Sequence, residues 1–250
     1  MKIKKEQFIN DFNKHQALKI ISGLNNFNES EIKNVIIAAE LGKATYIDIA
    51  ADERIIDLAH SITNLPLCIS SIIPDQIYKC IDKGIEIVEI GNFDSYYSKG
   101  MIFNKEDIKH ISCRIRKEAP EITLCVTLPY TLSIKEQLEL AQYLEFIGID
   151  MLQTEGSINC KNEEFNKRLP LNKYNLTLMT TYSLSKVVTI PIIASSGLNL
   201  YNAYIAKSHG ASCVGIKTAI NNLNTLDEKI RMIKKIKTSL KNNIVSNICA

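Results

Sequence analysis

Residues 85–91 read IEIVEIG. A run this short and this apolar fits a strand covered on both faces, as in a parallel sheet. It carries one carboxylate, Glu89, in its second half. Seven more runs of the same kind accompany it: LKIISGL (18–24), ATYIDIA (44–50), LPLCISS (65–71), ITLCVTL (122–128), IDMLQTE (149–155), IPIIASS (190–196) and CVGIKTA (213–219). Helical patterns lie between them. NESEIKNVIIAAELGK (28–43) starts on Asn28 as N-cap, has Glu31 three residues on and stops at Gly42. SIKEQLELAQYLEFIG (133–148) repeats that grammar with Ser133, Glu136 and Gly148. IPDQIYKCIDKG (73–84) has Pro74 near its start and Gly84 at its end. The last helix is expected from about Thr225 to Lys241.

Eight strand–helix units in 250 residues match the α/β class and a single (β/α)8 TIM barrel in count and size. No Gly/Pro/Ser-rich linker divides the chain. The expected organisation is an N-terminal arm at 1–17, a barrel at 18–243 and a polar tail at 244–250. The longest irregular stretches, 92–104 and 156–170, follow strands four and six, on the face where barrels carry substrate loops.

Composition narrows the class further. With 46% hydrophobic residues and a net charge of +3 from 30 Lys+Arg and 27 Asp+Glu, the chain resembles neither a disordered protein nor a dedicated nucleic-acid binder. No window approaches the roughly 18 apolar residues of a membrane span. The opening MKIKKEQFINDFNKHQ lacks the apolar run of a secretory signal, and its Glu6 and Asp11 do not suit a transit peptide. The seven cysteines (68, 80, 113, 125, 160, 213 and 249) show no CxxC spacing and are expected as reduced core thiols. Abundant Ile, Lys and Asn fit an AT-rich genome, such as that of an organelle or a low-GC bacterium.

Polar residues inside barrel strands point to a site. Side chains that alternate inward on a covered strand face the barrel interior, and near the C-terminal end they face its mouth. The strands offer Ser22 with Asn25 beyond it, Asp48, Ser70, Glu89 with Asn92 and Asp94 beyond it, Thr127, Gln153 with Glu155, Ser195 with Ser196, and Lys217. The first halves of the strands are mostly apolar. Asp48, Glu89 and Glu155 are therefore expected in one ring, where like charges raise at least one pKa unless Lys217 or a cation intervenes. Such a ring suits general acid–base chemistry; its structural alternative is to tie loops or pair with Lys217. Lys217 is read as a phosphate or carboxylate contact, a charge partner or a Schiff-base amine.

ASSGL (194–198) and GIKTAI (215–220) end strands seven and eight, where barrels often hold phosphate on backbone N–H groups. Ser195, Ser196, Gly197, Gly215, Lys217 and Thr218 are the candidate anion contacts. His15, His60, His110 and His209 lie away from the strand ends, so neither a His-ligated metal nor a catalytic histidine is expected. No GxSxG, P-loop or GxGxxG motif is present in the sequence. Tyr96, Tyr97 and Phe103 either stack on a ligand or pack their own loop down.

SGLNNF (22–27), YIDIA (46–50), EIGNFDSYYSKG (89–100), LPYTLSIKEQLELAQYL (128–144), QTEG (153–156), ASSGL (194–198) and GIKTAINNL (215–223) together resemble the hypothetical chloroplast reading frame twenty-three family, predicted barrel proteins of algal plastids and cyanobacteria. EIGNFDSYY and QTEG are the specific parts. The chain departs from that pattern at Tyr130, where a His is common, at Ser157, where a second Gly is, and at Lys217, where a small residue is usual. The resemblance implies a barrel in the plastid (chloroplast stroma) and moves the expected role towards Glu89, Asn92, Asp94 and Glu155. It names no reaction.

Three functions stay open on the sequence. The first is a non-redox lyase, isomerase or synthase acting on a small phosphorylated molecule, by fold-level analogy with ribulose-phosphate-binding barrels. The second is a flavin mononucleotide (FMN)-dependent enzyme using the same phosphate loops. The third is a non-catalytic metabolite-binding or regulatory barrel. Nucleic acid and membrane are not expected as partners, and a homo-oligomer is compatible with a barrel of this size.

Overall fold

Alternation along eight parallel strands sorts the molecule into two cores. The computed structural model describes residues 5–24, 26–91, 93–97, 100–156 and 172–242; of Asp94 and Ser95 it describes only the backbone. The strands are β1 (Ala17–Ile21), β2 (Tyr46–Ala50), β3 (Leu67–Ser70), β4 (Ile87–Ile90), β5 (Thr123–Leu128), β6 (Met151–Thr154), β7 (Ile192–Ser195) and β8 (Cys213–Ile216). They pair in chain order into a closed barrel, with β8 returning to β1. The closing register sets Ala17 beside Cys213 and Lys19 beside Gly215.

The outward residues, such as Leu18, Ile20, Ile47, Ile49, Val88, Val126 and Val214, form the larger core beneath the surrounding helices. The inward residues at the start of each strand form a second core. It takes one side chain from every strand: Ala17, Tyr46, Cys68, Ile87, Cys125, Met151, Ile193 and Cys213. Both cores are buried because each strand is covered on two sides, which is why the runs read as nearly continuous apolar stretches.

The helices begin and end on local signals. Asn28 accepts hydrogen bonds from the backbone N–H groups of Ser30 and Glu31. Ser133 with Glu136 and Thr225 with Glu228 form reciprocal capping boxes, satisfying backbone donors the first turn leaves free. Pro74 opens its helix at the first position, where the missing N–H costs nothing.

The segment expected as an arm at 1–17 is integral to the barrel. Helix Glu6–Asn13 closes the N-terminal end, burying Phe8, Asp11 and Phe12. The ring of Phe8 stands 4.7 Å from that of Phe12 and 5.4 Å, edge-on, from that of Tyr46. Asp11 meets Lys237 of the helix Leu226–Lys241 at 2.5 Å and accepts from Thr45 Oγ1 at 2.6 Å, locking the first and last helices together. Among the described residues no helix is long and apolar enough to cross a membrane. Cys68, Cys80, Cys113, Cys125 and Cys213 are free thiols, and Cys160 and Cys249 lie outside the described residues.

Candidate active site

Two residues beyond the apolar inner ring, every strand presents its next inward position: Lys19, Asp48, Ser70, Glu89, Thr127, Gln153, Ser195 and Gly215. Seven of the eight carry polar side chains and the eighth has none. The barrel interior thus changes from apolar to polar over one period-two step. Seven of these positions, Asp48, Ser70, Glu89, Thr127, Gln153, Ser195 and Gly215, are among the residues singled out on the sequence; Lys19 is the exception.

Lys19 organises the ring. Its ammonium is fully buried, 2.7 Å from Asp48 Oδ2, and in contact with Glu89 Oε2. It also donates to Gln153 Oε1 at 3.1 Å. Ser70 donates to both oxygens of Asp48 at 3.1 Å. Thr127 Oγ1 and Gln153 Nε2 donate to Glu89 Oε1 at 2.8 and 2.7 Å. Gln153 Nε2 reaches Thr127 Oγ1 as well, at 3.1 Å.

One ammonium therefore serves two carboxylates, and the electrostatics follow. Burial pushes the Asp48 carboxyl up to about 6; Lys19 opposes that rise and Glu89 adds to it. Burial works against the Lys19 charge, but Asp48 and Glu89 together hold its pKa well above the ordinary lysine value. Lys19 is thus an ammonium, not a free amine, and a poor Schiff-base nucleophile. Burial raises the thiols of Cys68 and Cys125 below the ring, so they are not thiolate nucleophiles. Among the described residues, Asp48, Cys68 and Glu89 form the group with metal-type donors, all within 4.8 Å of one another. The Lys19 charge already stands between the two carboxylates of that set.

Above the ring opens a cavity of about 650 Å3. Asp48, Glu89, Thr127 and Gln153 form its floor, and Ser195, Ser196, Gly197, Gly215, Lys217 and Thr218 line its β7/β8 side together with Lys173. Gly215 keeps that wall open: a Cβ there would stand 2.9 Å from Ser195 Oγ. The chain after β7 turns through two left-handed residues, Ser196 (φ 93) and Gly197 (φ 71). A side chain at 197 would also strike the backbone N of Tyr174 at 2.7 Å. Ser196 Oγ is engaged, donating to Gly156 O at 2.8 Å. The backbone N–H groups of Ser196, Gly197 and Leu198 have no acceptor among the described residues.

Two expectations are revised by this geometry. Lys217 is not the cation inside the ring; it is exposed at the rim, one layer above Gly215, where it caps the short helix Thr218–Asn221. Glu155 does not share a ring with Asp48 and Glu89, because Gln153 holds the β6 place in that ring. Instead Glu155 sits half-buried at the mouth, accepting from Tyr97 Oη at 3.4 Å and from the Tyr130 backbone N–H at 3.3 Å. Ser22 is buried at the end of β1, and its hydroxyl has no hydrogen-bond partner among the described residues. Asn25 and Asn92, and the side chain of Asp94, lie outside the described residues. The aromatic loop packs on itself: Phe103 stands 5.1 Å from Phe93 and 5.7 Å from Tyr96. Tyr97 reaches across to Tyr130, ring to ring at 5.0 Å.

Sequence reasoning missed Lys19 and left Ser70 without a role. The signal for Lys19 was present: counting by twos from Ala17 gives it inward parity in an otherwise apolar strand. It was masked by Ser22, a more conventional polar residue at the strand end.

Comparisons with known proteins agree with the fold and the resemblance. The family described as a protein of unknown function (DUF561) matches residues 3–246. The "Uncharacterized protein ycf23" of Pyropia yezoensis is 42% identical over 237 residues, covering 93% of this chain and 85% of that protein. That of Cyanophora paradoxa is 38% identical, covering 93% and 96%. Among solved structures, 3-hexulose-6-phosphate synthase from Salmonella typhimurium superposes with a TM-score of 0.63 at 15% identity, covering 90% of this chain and 98% of that one. Thiamine phosphate pyrophosphorylase from Pyrococcus furiosus gives 0.59 at 17%, covering 91% and 96%. At such identities these two structures show the TIM-barrel fold alone. The chain belongs to the DUF561 family of ycf23 proteins, whose chloroplast-encoded members in red algae and Cyanophora place it among plastid proteins.

Proposed function

We propose that this barrel is a small-molecule enzyme, a lyase, isomerase or synthase working without redox chemistry, that binds a phosphorylated substrate at its C-terminal face. The observation that carries the reading is the Lys19–Asp48–Glu89 cluster at the floor of an open cavity. Glu89 accepts from three side chains, Lys19, Thr127 and Gln153, whereas Asp48 is held by two, Lys19 and Ser70, so Glu89 is assigned as the anchor. Asp48 faces the cavity with a pKa near 6, where a carboxyl both takes and returns a proton close to neutral pH. In the carboxylate form it would accept a proton from the substrate, and as the acid it would give one back, with no other reactant required.

The phosphate is assigned to the β7/β8 side. There the backbone N–H groups of Ser196, Gly197 and Leu198, the Ser195 and Thr218 hydroxyls and the Lys217 and Lys173 ammoniums border one space. Several structural neighbours are named for phosphorylated compounds, among them a Thermoplasma acidophilum synthase in complex with sn-glycerol-1-phosphate. That supports the reading by analogy of fold.

Native mass spectrometry after exposure to an algal metabolite extract tests it. A retained phosphorylated adduct, weakened by Lys217→Glu, is expected, and turnover of that compound should be lost in Asp48→Asn. A flavin mass would replace this reading with an FMN-dependent one. Absence of any phosphorylated adduct would reject the anion site.

A further inference from the structure

The two ends of the cavity are sorted by charge, and the sorting selects the part of the substrate remote from its phosphate. On the β7/β8 side of the rim stand two lysines, Lys173 and Lys217, while Glu155, half-buried at the mouth, is engaged by Tyr97 Oη and the Tyr130 backbone N–H. At the floor, two carboxylates share the single charge of Lys19, leaving an excess of one negative charge when both are ionised. A second anion at the floor would meet Asp48 and Glu89 in a desolvated setting and be repelled. A cation would have to settle against a floor where the Lys19 ammonium lies 2.7 Å beneath Asp48 Oδ2. An alkyl or aryl group would lie against the polar floor of Asp48, Glu89, Thr127 and Gln153 and offer it no hydrogen bond, which is unfavourable for buried polar groups.

Neutral groups that donate hydrogen bonds satisfy all three constraints. Resting on the phosphate reading above, we infer that the substrate is a polyol phosphate, whose adjacent hydroxyl groups donate to the floor carboxylates while its phosphate lies at the β7/β8 rim. Lys19 is here a positioning residue beneath the floor. It does not touch the ligand, but it allows two carboxylates to stand side by side.

Calorimetric titration of the purified full chain with four probes tests the inference: inorganic phosphate, n-butyl phosphate, 4-aminobutyl phosphate and D-erythritol 4-phosphate. The three esters share a four-carbon chain and differ in what they bring to the floor. The expected result is that erythritol 4-phosphate binds at least tenfold more tightly than either of the other esters. Asp48→Asn should reduce that advantage while leaving the affinity for inorganic phosphate unchanged. If the butyl or aminobutyl ester binds as tightly as the polyol, the inference is overturned and the phosphate site stands. If none of the four binds, the phosphate reading falls and the inference with it. The comparison of ligands on the unaltered protein decides the matter even where the variant fails to fold.

Discussion

The barrel holds a buried lysine–carboxylate cluster at each end, and the two are built differently. At the closed end, Lys237 meets one carboxylate, Asp11, and spends its remaining donors on Gln16 O at 2.9 Å and Thr45 Oγ1 at 2.8 Å. Charges balance one to one, and helix Glu6–Asn13 covers the cluster. Burial dominates there and lowers the Lys237 pKa despite the pull of Asp11. At the open end, Lys19 meets two carboxylates and its pKa rises. That cluster has one carboxylate too many for its lysine and a 650 Å3 cavity above it. A balanced, sealed pair fastens two helices. An unbalanced pair beneath a cavity leaves a proton that can move.

The difference can be broken most forcefully at Lys19. Lys19→Met strands two buried carboxylates and should cost at least the roughly 3–5 kcal/mol typical of breaking a buried ion pair, read from denaturant unfolding. Lys237→Met strands one carboxylate and should cost about 3 kcal/mol. It should leave phosphate affinity unchanged, because the closed end is remote from the cavity. Equal losses from the two variants would show that the extra carboxylate carries no charge when Lys19 is present.

The pH dependence sharpens the same contrast. The Asp48 pKa is raised by folding, from 3.8 to about 6, so the folded state holds its proton more firmly. Its contribution is complete below about pH 4 and is lost as pH rises through 6, on the order of 3 kcal/mol over that window. Asp48→Asn should flatten the corresponding slope in a plot of unfolding free energy against pH; a slope left intact would assign the titration to another group. The smallest effect on stability is expected at Glu155, which is half-buried at the mouth. Glu155→Gln should change stability by less than about 1 kcal/mol, judged by its melting curve. A larger loss would make the tie to Tyr97 and Tyr130 a structural support of the barrel.

How much of this was legible in the sequence differs from residue to residue. The barrel was, since eight short apolar runs alternating with capped amphipathic helices admit few other packings. The caps at Asn28, Ser133 and Thr225 were too, because a cap is a contact between neighbours in the chain. Period-two counting gave Asp48, Glu89, Thr127, Gln153 and Ser195 their inward parity. It misplaced Glu155 and Lys217 by one layer, because both lie two residues beyond a ring position and the stagger between strands is invisible to a single strand. Lys19 was hidden for a related reason: a lysine in an apolar strand has no local partner. Its carboxylates are 29 and 70 residues away in the chain, on β2 and β4.

The amino-acid sequence by itself determined the secondary elements, their order and the inward parity of each strand, all of which are set by neighbours within a few residues. Only the tertiary structure decided which inward residues share a level, which lysine answers which carboxylate and where the cavity opens. Those depend on barrel closure and on charge pairs formed across strands, and such pairs exist only once the chain has folded.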